Sequence, residues 1–143
     1  MTTTENAIVF RRVIEQGFNQ GNVDALDDCF SRTFEEHQYG MSASLSGLKG
    51  AIAGLRRAVP DLTLTIEEMV SSDDKVWARM TARGTNDGSV LGFAPTRRSF
   101  TITVIDVCRF DAGKIVEHWG VPDRFALLDQ LGLLPRPAVN ARA

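Results

Sequence analysis

The side chains that could do chemistry in this chain of 143 residues are few: two histidines (His37, His118), one tyrosine (Tyr39), two tryptophans and two cysteines. Asp106 and His118 are set apart by their positions. The segment Phe110-Asp111-Ala112-Gly113-Lys114 joins two alternating apolar runs and fits a three-residue hairpin loop ending in a left-handed glycine. In that register Phe110 faces Lys114, and counting back sets Asp106 directly opposite His118. Both then share a face with Phe100, Ile102, Val104, Cys108 and Val116, while Thr101, Thr103, Arg109 and Glu117 take the other. A two-residue loop would shift the register by one and separate the pair. A carboxylate and an imidazole in an apolar wall have two readings. One is a structural hydrogen bond fixing two strands, because pairing removes most of the cost of burying either group. The other is a proton-transfer pair at the bottom of a pocket, where apolar surroundings move both pKa values toward neutrality.

Other chemistries find less support. His37 sits beside Glu35 and Glu36, but one histidine and two neighbouring acids on a strand do not make a metal site, and no HExxH or paired Cys-x-x-Cys spacing occurs. Ser42, Ser44 and Ser46 lack the Gly-x-Ser-x-Gly elbow, and there is no glycine-rich phosphate loop. Asp123 follows Pro122 and precedes a helical pattern, the position of an N-cap. Arg56-Arg57 and Arg97-Arg98 read as solvated surface pairs, the second able to border a pocket mouth. Trp77 and Trp119 have the opposite parity to the proposed pocket and suit the outer sheet face or a subunit contact.

These residues need elements to hold them. Ala7, Phe10, Ile14 and Phe18 recur at helical spacing, and the Gly17–Gly21 region is a plausible stop. Asn22 caps a short second helix carrying Val23, Leu26 and Phe30, and Phe34 to Tyr39 follows as an extended segment. A third helix begins near Ser46-Gly47 and ends at Pro60. There the period changes from 3.6 to 2. Leu62, Leu64 and Ile66 alternate with polar residues, Asp73-Asp74 supply a turn, and Val76, Ala78, Met80 and Ala82 alternate again. Strands from Ser99 to Phe110 and from Lys114 to Val121 follow, with a last helix from Arg124 to Leu131 and a loose tail from Pro135. The order predicts an α+β fold as one domain over 1–143, with N-terminal helices packed on one face of a curved, mixed or antiparallel sheet.

Composition narrows the partners. Sixteen basic and 18 acidic residues give a net charge of -2, which argues against coating nucleic acid or an acidic membrane surface. No export signal or membrane-length apolar run is present, and two cysteines suit a reducing cytoplasm.

Pro60-Asp61-Leu62, Asp74-Lys75-Val76, Arg83-Gly84-Thr85, Gly92-Phe93-Ala94-Pro95-Thr96, Asp106-Val107-Cys108-Arg109-Phe110, the run Gly113 to Trp119, Pro122-Asp123 and Leu128-Asp129-Gln130-Leu131-Gly132 together resemble the pattern of SnoaL-like polyketide cyclases. The resemblance runs from the first helix to about Leu134. It implies the nuclear transport factor 2-like fold, a cone of sheet closed by helices around a deep apolar cavity, and a homodimer through the outer sheet face. It further implies intramolecular aldol ring closure of a small, apolar, carbonyl-containing substrate without metal or organic cofactor, the substrate's own carbonyls delocalising the carbanion.

Two positions depart from the pattern. The family's catalytic aspartate, two residues after the histidine, aligns with Gly120, and the glycine expected after Pro95-Thr96 is Arg97. Asp106 therefore becomes the candidate acid/base, acting from the neighbouring strand with His118 as its partner. His37, Met80, Val104, Gly120 and Asp123 complete the candidate pocket, with His37 at the rim and Gly120 leaving room where relatives place a carboxylate. A related hydroxylase or isomerase, and a non-catalytic binding module, are the alternatives.

Overall fold

The change of hydrophobic period at Pro60 divides the chain into a helical first third and a sheet. In the computed structural model, which describes residues 3–135, α1 spans Thr3–Arg12 and runs on as a π-helical segment, Val13–Asn19. Phe10, Val13, Ile14 and Gly17 form its buried side. A 3₁₀ segment, Val23–Asp28, follows. Phe30 does not extend it, although its spacing from Leu26 is helical: Phe30 opens strand β1 (Phe30–Glu36), which pairs in parallel with a strand from the far end of the chain. Long-range pairing overrides the local spacing here. Helix α2 spans Leu45–Ala58 and is capped by Ser44, whose hydroxyl accepts from the Gly47 amide at 3.0 Å.

Strands β2 (Thr63–Ser72), β3 (Lys75–Thr85), β4 (Ser99–Asp111) and β5 (Lys114–Pro122) follow, then helix α3 (Arg124–Gln130). The strand order is β1-β5-β4-β3-β2, with β1 parallel to β5 and every other pair antiparallel. The fold is α+β as expected, helices packed on a mixed sheet that curls without closing. The core, including Phe10, Ile14, Leu26, Ile52, Met80 and Ile115, lies between the helices and the concave face. Most of the tail expected to be loose from Pro135 lies outside the described residues.

The β4–β5 hairpin departs from expectation in a way that matters for the site. Its loop has two residues, not three: Asp111 pairs with Lys114, and Ala112 (φ 48°) and Gly113 (φ 77°) make the turn. Positive φ at both positions is the hairpin turn whose twist matches that of the strands. Four residues further on, Arg109 pairs with Glu117, so Val116 is an extra residue on β5, a bulge. The loop shifts the register by one and the bulge shifts it by one more. Cys108 therefore faces His118, and Asp106 faces Gly120. The expected direct opposition of Asp106 and His118 is replaced by a diagonal neighbourhood on the same face, since two single shifts preserve parity. The bulge also puts Ile115, fully buried, and His118 on the inner side although they are three residues apart.

Asn86, fully buried, fixes the loop between β3 and β4: its side chain accepts from the Thr96 amide and hydroxyl at 3.0 and 2.9 Å. Arg97 has φ 62°. The backbone thus keeps a glycine-type conformation at the position where the sequence departs from the family's glycine.

Candidate functional site

A cavity of about 640 Å³ lies between α2 and the concave face of the sheet. Leu48, Ile52 and Leu55 supply the helix side of its wall, Met80, Ile102 and Val104 the sheet side. Asp106 and His118 open into it from β4 and β5, with Gln38 beside them. Of the sequence-expected residues, Met80, Val104, Asp106 and His118 are brought together on this wall.

His118 is held between two carboxylates. Its Nδ1 stands 2.7 Å from Glu36 Oε1 and its Nε2 3.3 Å from Asp106 Oδ2. The Glu36 side chain is fully buried, and those of His118 and Asp106 are 13% and 11% exposed. Glu36 Oε1 also accepts from the Gln38 amide at 2.9 Å, while Oε2 has no hydrogen-bond partner. Burial by itself pushes the imidazole pKa down, but the hydrogen bonds and charges of Asp106 and Glu36 outweigh it and raise it to about 10. His118 is thus an imidazolium at neutral pH. The thiol of Cys108, opposite it, is pushed well up by burial and then by the charges of Asp106 and Glu36, and stays protonated.

Two expectations about the pocket do not hold. His37 points to the outer face of the sheet, because it is one residue out of phase with Glu36. There it stacks on Trp119 (centroids 4.8 Å apart, planes at 12°) with Nε2 2.9 Å from Glu117 Oε2. Asp123 caps α3 by accepting from the Ala126 amide at 2.9 Å and is absent from the cavity wall. Gly120 does not leave open room either. A Cβ there would overlap Gln38 Oε1 and come within 2.8 Å of His118 Cε1 and 3.0 Å of Asp106 Oδ1. The carboxamide of Gln38 fills the place of the missing side chain.

Glu36 and Gln38 were not expected. The signal was available: Phe34, Glu36 and Gln38 alternate, so a strand that buries Phe34 sends the other two inward as well. The arginine pair Arg56-Arg57, read as solvated, divides. Arg56 is part-buried and donates to the carbonyls of Phe18, Pro60 and Leu62 at 2.9 to 3.1 Å, whereas Arg57 is exposed as expected and also borders the cavity.

On the outer face, ligand atoms of Glu35, His37 and Glu117 lie within 4.8 Å of one another, a spacing compatible with a metal ion. Arg109 already holds Glu117 Oε1 at 2.6 Å and, with His37, keeps its carboxyl below the usual range. That guanidinium opposes a second cation.

Comparison with known proteins places this geometry in context. The family profile described as SnoaL-like polyketide cyclase matches residues 8–131. No curated protein sequence matches the chain. Among solved structures, TsrD from Streptomyces laurentii is similar at 28% identity and a TM-score of 0.86, covering 94% of this chain and 99% of its own. AclR from Streptomyces galilaeus, described as a candidate hydroxylase, shares 25% identity at a TM-score of 0.82 over 94% of this chain and 100% of its own. IdmH from Streptomyces antibioticus, described as a candidate polyketide cyclase, shares 29% at 0.78 over 89% and 98%.

Proposed function

The chain belongs to the SnoaL-like polyketide cyclase family, and on that footing we propose that its cavity carries out cofactor-independent acid/base catalysis, an intramolecular aldol-type ring closure of an apolar, carbonyl-rich substrate. The observation that carries the reading is the buried Glu36–His118–Asp106 row, from which Asp106 and His118 open into a largely apolar cavity. Asp106, facing a cationic imidazole, is the base. It removes a proton from a carbon next to a carbonyl, and the electron pair passes into the enolate. The enolate carbon then bonds to a second carbonyl carbon, and the alkoxide formed there takes back a proton from Asp106 or from His118. The product is an isomer of the substrate. No metal is required, because the substrate's carbonyls spread the charge. Arg124, on the same cavity wall and steadied by donation to the Tyr39 carbonyl at 3.0 Å, supplies N–H groups to the enolate oxygen.

Asp106→Asn tests the assignment. It should lower kcat for closure of an aromatic polyketide ester by roughly 10²- to 10⁴-fold, the usual contribution of a positioned acid/base, while the fold is retained by circular dichroism. Unchanged turnover would overturn the assignment. The similarity to AclR favours hydroxylation as a second reading; oxygen incorporated into product, detected by mass, would establish it in place of ring closure.

The same reading includes a homodimer. On the outer face Val70, Trp77, Val107 and Trp119 stand side by side across four strands, with Val70 and Trp77 exposed and Val121 exposed beside them. An apolar row of this length supports a subunit contact. Buried free thiols at Cys29 and Cys108 support a reducing compartment such as the cytoplasm.

A further inference from the structure

Two guanidinium groups border the cavity, Arg124 and Arg57. Arg124 is engaged with the Tyr39 carbonyl. Arg57, among the described residues, has neither a hydrogen-bond nor an ion-pair partner. It is exposed and stands in the last turn of α2, where a cation also suits the helix dipole. The exposed side chain still follows the surface of the helix. Gly54, one turn back, would place a Cβ 3.7 Å from Arg57 Nη2, so the guanidinium lies along the helix over bare backbone. Gly54 and Ala51 border the same cavity, so this stretch of α2 keeps its surface low where the cation rests.

The helix end that carries Arg57 meets the sheet at a different level from the acid/base row. On β3, Asp106 is opposite Ala78, whereas the end of α2 meets the sheet at Gly84, where Val59 packs so closely that a Cβ would overlap it. Six residues of strand separate these levels, about 20 Å of backbone. Between them the wall is apolar, with Met80, Ala82, Ile102 and Leu64 among its members. The cavity therefore has a polar end at Asp106 and His118, an apolar middle and, at the other end, the exposed cation of Arg57, unpartnered among the described residues.

We infer that Arg57 is a carboxylate-binding subsite, and that the ligand is an elongated apolar carbonyl compound carrying one acidic group at the end away from the reacting carbon. A guanidinium presents a planar fork that matches a carboxylate in two parallel hydrogen bonds. At the acid/base end the cations already have partners, His118 with Glu36 and Asp106 and Arg124 with the Tyr39 carbonyl, so the unpartnered guanidinium of Arg57 both recruits the acid and orients it. This rests on the cavity being the ligand site of the proposed function, and adds the ligand's charge and direction.

The test uses two probes that differ only in charge: anthraquinone-2-carboxylate and its methyl ester, titrated into the full-length protein by calorimetry, with amide shift changes to map the contact. The wild type should bind the acid five- to tenfold more tightly than the ester. Arg57→Gln should remove that preference and leave the ester unaffected, and Arg57→Lys should restore most of it. Equal loss of both probes in Arg57→Gln, or an acid no better than the ester in the wild type, overturns the subsite while leaving the cavity as a ligand site. If neither probe binds, or shifts map away from α2 and β3, the inference falls as well. Asp106→Asn turnover is independent of all these outcomes, so failure here and failure of the catalytic assignment are told apart.

Discussion

Residue by residue, the site depends on one imidazole shared by two acids. A carboxylate as deeply buried as Glu36 is costly unless a cation accompanies it, and His118 is that cation. Because its pKa rises from 6.5 to about 10 on folding, folding takes up a proton between those values. The stabilisation is complete below about pH 6.5, weakens as pH rises and is lost through pH 10. Stability measured by urea unfolding should therefore fall between pH 7 and pH 8.5, a range below the ordinary ionisation of the Cys108 thiol, with a slope approaching ~1.4 kcal/mol per pH unit. His118 should give imidazolium NMR shifts at pH 8. Glu36→Gln removes one source of the upward shift, so the imidazole should titrate at lower pH and the decline in stability should end earlier. A flat profile from pH 7 to pH 8.5 would contradict the assignment. Asp106 and His118 were legible in the sequence because polar residues interrupt an otherwise apolar parity. For Glu36 and Gln38 the shared parity with Phe34 is the only mark in the sequence, and a seven-residue strand is too short for that mark to stand out.

At the level of elements, the β4–β5 hairpin decides which groups meet. The strands, the turn after Ser72 and the cap at Asp123 follow from period and turn chemistry. The loop length did not, because Asp-Ala-Gly satisfies a three-residue loop as well as it fits a two-residue turn preceded by a paired aspartate. The bulge at Val116 could not be read at all, since no residue type marks it. The turn adopted asks an L-residue other than glycine for φ 48° at Ala112, a conformation that costs about 1 kcal/mol. Asn tolerates this region and, followed by glycine, is the preferred pair for such turns. Ala112→Asn should accordingly raise the unfolding free energy by about 0.5–1 kcal/mol, measured in urea, with catalytic parameters unchanged. A loss of stability would indicate the three-residue loop and the register that comes with it.

For the molecule as a whole, the two faces of one curled sheet carry different tasks. The concave face, sealed by α2, holds the cavity, while the convex face exposes Trp77, Val70 and Val121. Sedimentation should show a dimer for the wild type, and Trp77→Asp should produce a monomer that melts within a few degrees of the parent, since Trp77 is 52% exposed in the single chain. A monomeric wild type would remove the subunit contact. No helix among the described residues is long and apolar enough to cross a membrane.

The extra residue Val116 has a wider meaning for how such a site can change over generations. The two-residue turn and the bulge are half-steps whose phases cancel. Losing Val116 would leave Glu117 opposite Arg109 and His118 opposite Cys108 and would only straighten the ladder, and a residue added at the turn would lengthen the loop between Asp111 and Lys114 without moving a pair. Re-pairing is what inverts β5: with Val116 opposite Arg109, His118 would turn outward and Trp119 would enter the cavity. The hairpin therefore tolerates a single insertion or deletion at its turn or its bulge, and inside and outside are exchanged only when the same amino acids slip by one.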